Sequence, residues 1–101
     1  MMVNYLEYNG KQIPYVFNTG VIRKLSPTMQ DFFDKIQIFD LEFMFKFVEE
    51  GLRKGHRMDG KEFTLTEDDI DAILHKHSLK FVEEVKKDSF YEPFLDSTKK
   101  N

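Results

Sequence analysis

Between Asp40 and Gly55 the chain reads DLEFMFKFVEEGLRKG, and this stretch restricts the fold more than any other. At about 100° per residue, Leu41, Met44, Phe45, Val48 and Leu52 fall on one helical face. Phe43 and Phe47 widen that face to roughly half the circumference. Glu42, Lys46, Glu49, Glu50, Arg53 and Lys54 fill the remainder. The acid-before-base pairs Glu42–Lys46, Glu49–Arg53 and Glu50–Lys54 each add about 0.2–0.5 kcal/mol on an exposed helix face. By residue type Asp40 is the N-cap and Gly55 the C′ residue. A helix this apolar needs neighbours on more than one side. It is therefore expected to be the central helix of a small helical domain, with the rest of the chain arranged to cover it.

The N-terminal segment has a different periodicity. Val3 to Tyr8 and Gln12 to Phe17 are strand candidates joined at Asn9-Gly10, whose tolerance of positive φ suits a type I′ hairpin. Alternation places Ile13, Tyr15 and Phe17 on one face, and Pro14 fits only an edge strand. A lone hairpin is marginal in water, so it is expected to lie against the helices. Asn18 or Thr19 can cap a short helix to about Leu25, which Pro27 ends. Ser26 or Thr28 can cap a second, from Met29 to about Ile36, with Phe32, Phe33 and Ile36 apolar. Gln37 to Phe39 then links to the central helix. Beyond Gly55 lies a polar loop with an Asp59-Gly60 turn.

The next start signal is strong. Thr66 and Asp69 approximate a capping box, and Leu65 and Ile70 sit where a hydrophobic staple would place them. Glu67, Asp68, Asp69 and Asp71 suit the positive end of the helix dipole. Ile70, Ile73 and Leu74 form the inward stripe. His77-Ser78 marks a break or bend before a last helix, Leu79 to about Ser89, with Phe81, Val82 and Val85 inward. Tyr91, Phe94 and Leu95 can dock on the body. The expectation is one α+β domain, mainly α, over residues 1–95: an N-terminal hairpin packed on a bundle of four to five short helices. Residues 96–101 then form a flexible tail.

Composition excludes several function classes. With 101 residues, a net charge of −3 and a pI near 5.6, the chain argues against nucleic acid or anionic membrane as the main partner, since both demand a basic surface. It has no Cys, so thiol catalysis, disulfides and Cys-based zinc sites are excluded. No signal-like or membrane-spanning apolar run is present.

The residues that could carry chemistry do not assemble into a motif. His75 and His77, two apart on a helix, point about 200° away from one another, whereas paired ligands sit three or four apart. The Glu67–Asp71 cluster is not a calcium loop. Placing Gly60 at loop position 6 puts Gly55, Arg57, Asp59 and Thr66 at the ligand positions, and only Asp59 is a carboxylate. Nucleophile elbows, phosphate-binding glycine loops and zinc-protease helices are all missing. No enzyme, metal or cofactor is expected. Eleven Phe residues in so short a chain are the remaining signal. They suit either a Phe-rich core or an apolar groove for a partner's amphipathic helix.

The succession of segments resembles the tail assembly chaperones of long-tailed bacteriophages and prophages. YLEYNGKQIPYVFNTGVIRKL is similar to that family's opening strand pair and first helix. DLEFMFKFVEEGLRKG is similar to its central helix, and FTLTEDDIDAIL to its Thr-capped acidic helix. Where the family often carries Trp in the central helix, this chain has Phe45 and Phe47. The resemblance implies a non-enzymatic protein of the bacterial cytoplasm. Its partner would be the tape measure protein, kept soluble during tail assembly, with tail tube subunits as a further protein partner. The bulk and wheel positions of Phe43, Met44 and Phe47, with Phe32 and Phe33, make them the expected partner-binding residues. The family also implies a longer form made by ribosomal frameshifting, and the codons of Lys99-Lys100-Asn101 permit the adenine run it needs. The alternative is a small regulatory or DNA-associated helical protein.

Overall fold

Asn9 and Gly10 both take positive φ, 52° and 74°, and reverse the chain as a type I′ turn requires. The computed structural model describes residues 3–87. Strands β1 (Asn4–Tyr8) and β2 (Lys11–Tyr15) pair antiparallel, with Leu6 opposite Ile13 and Pro14 opposite Tyr5. In a two-stranded ladder each strand has an open edge, which accommodates the proline. The second strand ends at Tyr15, earlier than alternation suggests. The Val16 N–H leaves the ladder and donates to the carbonyl of Gly51 in the central helix at 3.0 Å.

Four helices follow: α1 (Thr19–Leu25), α2 (Met29–Ile38), α3 (Leu41–Met58) and α4 (Glu67–Lys87). The fold of the described residues is α+β and mainly α, a hairpin followed by four helices. Each helix start has a side-chain cap that takes up an orphan N–H. Asn18 accepts from Val21 N at 3.1 Å, Thr28 from Asp31 N at 3.0 Å and Asp40 from Phe43 N at 2.9 Å. At α4 the capping box closes in both directions with Asp in the usual Glu place. Thr66 N donates to Asp69 Oδ2 at 2.9 Å, and Asp69 N donates to Thr66 Oγ1 at 3.2 Å.

Helix α3 does not end at Gly55 but continues to Met58. Its two internal glycines explain why. A Cβ on Gly55 would fall inside van der Waals contact of the Tyr15 backbone, and one on Gly51 would enter the Phe17 ring. Four residues apart, they form a bare strip on which β2 and the chain after it lie directly on the helix backbone. Gly55 is thus a packing residue and not a terminator. The expected polar loop also begins later, because His56 is buried within α3, its Nδ1 2.6 Å from the Leu52 carbonyl. Helix α4 runs through His77-Ser78 without a break. His77 Nε2 lies 3.1 Å from the Glu7 carbonyl, which fixes it against the hairpin.

The core lies where the hairpin, α3 and α4 meet, and it is aromatic. Phe17 stacks on Phe47 with ring centroids 4.3 Å apart and meets Phe81 edge-on at 5.2 Å. Tyr15 reaches Phe81 at 5.6 Å, and Phe32 bridges to Phe47 at 5.3 Å. Edge-on and offset contacts of this kind add about 0.5–1.5 kcal/mol each beyond the area buried. Two tyrosine hydroxyls tie the hairpin to the helical body, Tyr5 donating to Asp59 and Tyr8 to Asp69, both at 2.8 Å. The expected docking of Tyr91, Phe94 and Leu95, the expected tail at Asp96–Asn101 and the end of the last helix near Ser89 lie outside the described residues.

Candidate protein-binding surface

The residues expected from the helical wheel to face a partner lie inward. Phe32, Met44 and Phe47 have no exposed surface, and Phe43 retains 6 %. Phe33 is half-buried against Phe32, ring centroids 5.9 Å apart. The wheel set Phe43 and Phe47 at the edges of an apolar arc, as if α3 were covered on one side. In the fold the chain after β2 covers one flank and α2 the other, so both edges are closed. Phe43 and Phe47 contact Phe32, and Phe47 also contacts Phe17. Phe32, Phe43, Met44 and Phe47 are thus corrected from partner surface to core, and Phe33 is half-buried beside them.

Among the described residues, large apolar side chains left in solvent lie elsewhere: singly at Tyr5, Met58 and Leu79, and together at one corner. Ile38 is 73 % exposed, Leu41 69 % and Phe39 38 %. They flank the α2–α3 corner, where only Phe39 and Asp40 join the two helices. Such a tight corner is possible because Asp40 serves both helices. Its N–H donates to Lys35 O at 3.1 Å, closing α2, while its carboxylate caps α3. Phe39 N donates to Ile36 O at 3.1 Å, completing the Schellman pattern. This arrangement demands a left-handed residue at Phe39, where φ is 54° and ψ 51°. Glycine is the usual occupant, and an L side chain there costs about 1–2 kcal/mol. A half-exposed phenyl ring at a strained position is stabilising neither for the backbone nor for the core.

Leu41 continues from this corner into a groove between α3 and the first half of α4. This shallow, open groove of ≈ 370 Å³ is lined by Leu41, Phe45 and Leu74 with Glu42, Glu67 and Asp71. Among the described residues its lining is half apolar side chains and half carboxylates. Glu42 makes a long ion pair with Lys46 at 3.9 Å, both side chains more than half exposed. Glu67 and Asp71 have no cation within 4 Å among the described residues. Sequence reasoning missed this surface, although the signal existed. Leu41 and Phe45 are on the wheel's apolar face, and Glu67 and Asp71, four apart, share a side of α4.

A second hollow has the opposite charge. Lys24, Arg53, Lys54 and Arg57 surround ≈ 90 Å³ between α1 and α3, with Glu50 and Gly20. Two of these cations are engaged: Lys24 with Glu50 and Arg53 with Glu49, each at 3.3 Å. Glu50 thereby reaches across to α1, not along its own helix to Lys54.

The titration shifts mark structural ties. The Tyr8 hydroxyl is pushed up, first by its hydrogen bond to the Asp69 carboxylate. Asp69 is held below the usual carboxylate range, first by the Thr66 N–H and then by Tyr8. Tyr5 and Asp59 shift in the same opposed way through their shared hydrogen bond. Among the described residues no three His, Cys, Asp or Glu side chains converge as metal ligands, and no helix is long and apolar enough to cross a membrane. Comparison with protein-family models, curated proteins and solved structures returned no match.

Proposed function

We propose that this chain is a non-enzymatic protein-binding module that acts as a phage or prophage tail assembly chaperone. In this reading it covers apolar heptad positions of the tape measure protein during assembly in the bacterial cytoplasm. The observation that carries the binding reading is the exposed corner of Ile38, Phe39 and Leu41, in which a bulky ring occupies a left-handed position suited to glycine. Exposed apolar groups of this kind, beside a groove, suit a surface that masks a self-associating coiled coil. The family assignment rests on the resemblance of the opening, central and Thr66 segments.

Co-expression with a long heptad-rich tape measure protein tests it. The full chain should raise the soluble fraction of that protein and co-purify with it. A variant carrying Ile38→Asp and Leu41→Asp should fold with an unchanged circular dichroism spectrum and lose both effects. Failure of the parent chain to solubilise or retain the tape measure protein would refute the chaperone reading.

The basic hollow of Lys24, Arg53, Lys54 and Arg57 favours a second reading, a small regulatory or DNA-associated protein. Retardation of duplex DNA that weakens steeply with salt and is lost in Lys54→Gln/Arg57→Gln would support it.

A further inference from the structure

We propose that the groove between α3 and α4 takes a short amphipathic helix whose apolar stripe is flanked by Lys or Arg. This deepens the protein-binding reading above and rests on it for the groove's being a binding surface; the tape measure assignment is not required. Three features define the occupant. Glu67 to Leu74 spans two turns of α4, about 10 Å, so the groove matches two turns of a partner helix. Leu41, Phe45 and Leu74 in its lining offer apolar contact to residues spaced three and four apart. Its lining offers Glu42 from α3, in a long pair with Lys46, and Glu67 and Asp71 from α4, with no basic side chain among the described lining residues.

The helix dipoles account for Glu42 and Glu67, each in the first turn of its own helix. They do not account for Asp71, which lies beyond the first turn of α4 and adds a third carboxylate to the same hollow. A neutral helix would bury its stripe equally well but gain nothing from the carboxylates, and an acidic one would face like charge. A basic-flanked helix gains on both counts.

Binding of two synthetic helical peptides to the full chain, measured by fluorescence anisotropy, tests this. The peptides share one Leu stripe and differ in having Lys or Glu beside it. The Lys peptide should bind about tenfold tighter at low salt, the combined effect of three exposed charge pairs. The preference should shrink as salt screens those pairs. In Glu42→Gln/Glu67→Gln/Asp71→Asn the two peptides should bind alike, and Leu41→Ala should weaken both.

Should the triple variant fail to fold, Glu42→Gln alone and the salt series on the parent chain decide the question. Equal binding of both peptides by the parent chain overturns the inference. So does a chain that self-associates in sedimentation and becomes monomeric only in Leu41→Ala, which would assign the groove to a second copy. Loss of tape measure solubilisation with Lys-peptide binding intact removes the chaperone assignment and leaves the groove's chemistry standing. The reverse result removes this inference alone.

Discussion

Replacing Gly55 with alanine places the two effects of a helical glycine in direct opposition. Alanine is favoured over glycine inside a helix by about 1 kcal/mol. Against that, the new methyl would overlap the N and Cα of Tyr15 and the carbonyl carbon of Pro14. Overpacking of this kind costs about 1–3 kcal/mol, and the upper end applies because backbone cannot rotate out of the way. The net expectation is a loss of about 2 kcal/mol. For a domain of this size that lowers Tm by roughly 8–16 °C. Gly20→Ala is the internal control. Its nearest obstacle is the Lys54 Nζ at 2.8 Å, the free end of a flexible side chain. The amine can swing aside, and the capping Asn18 Oδ1 at 3.3 Å need yield only slightly, so Tm should stay within a few degrees of the parent. Thermal and urea melts of the three proteins, compared at equal m-value, measure both. If Gly55→Ala melts at or above the parent, β2 does not lie on the helix backbone as described and the argument fails.

Phe47→Ala removes a ring with no exposed surface that stacks on Phe17, and should cost about 3–5 kcal/mol in urea denaturation. A loss below about 1 kcal/mol would return Phe47 to the surface. Asp69 titrates below its usual range in the folded chain, so its contribution is complete above the unfolded value near 3.8 and disappears as pH falls through the folded value. Melts between neutral and acid pH should therefore converge for the parent and Asp69→Asn, the parent losing more stability on acidification. Addition of a chelator should leave the melting temperature unchanged, and a marked drop would reveal a bound metal.

Local signals carried much of the fold in the sequence. Asn9-Gly10 marks the hairpin, Asp40 and Thr66 mark two helix starts, and Asn18 and Thr28 are each one of two cap candidates; each cap acts within three residues of its partner. The errors came where distant chain segments decide the outcome. Gly55 has the residue type of a helix end, and only the arrival of Tyr15 makes it an interior position. His77-Ser78 has the residue types of a break or bend, and the contact with the Glu7 carbonyl comes from the distant hairpin. The candidate site failed for the same reason. A wheel ranks residues by angle on one helix, so it cannot tell that Phe43 and Phe47 are enclosed by Phe17 and Phe32. Nor can it tell that Ile38 and Leu41 are left outside by a two-residue corner.

The hydrogen bond from Val16 to Gly51 makes one amide a reporter for the whole molecule. Its donor follows a hairpin that can form locally, but its acceptor exists in place only once the middle of α3 is wound and its bare strip is covered. Fraying of the ladder, which has an open edge on each strand, exposes the amides of β1 and β2 without touching this bond. In hydrogen exchange, Val16 should therefore be released with the slowest amides of α3, while its strand neighbours exchange earlier. Joining the hairpin to the central helix in this way converts an element that is marginal alone into part of a single cooperative unit.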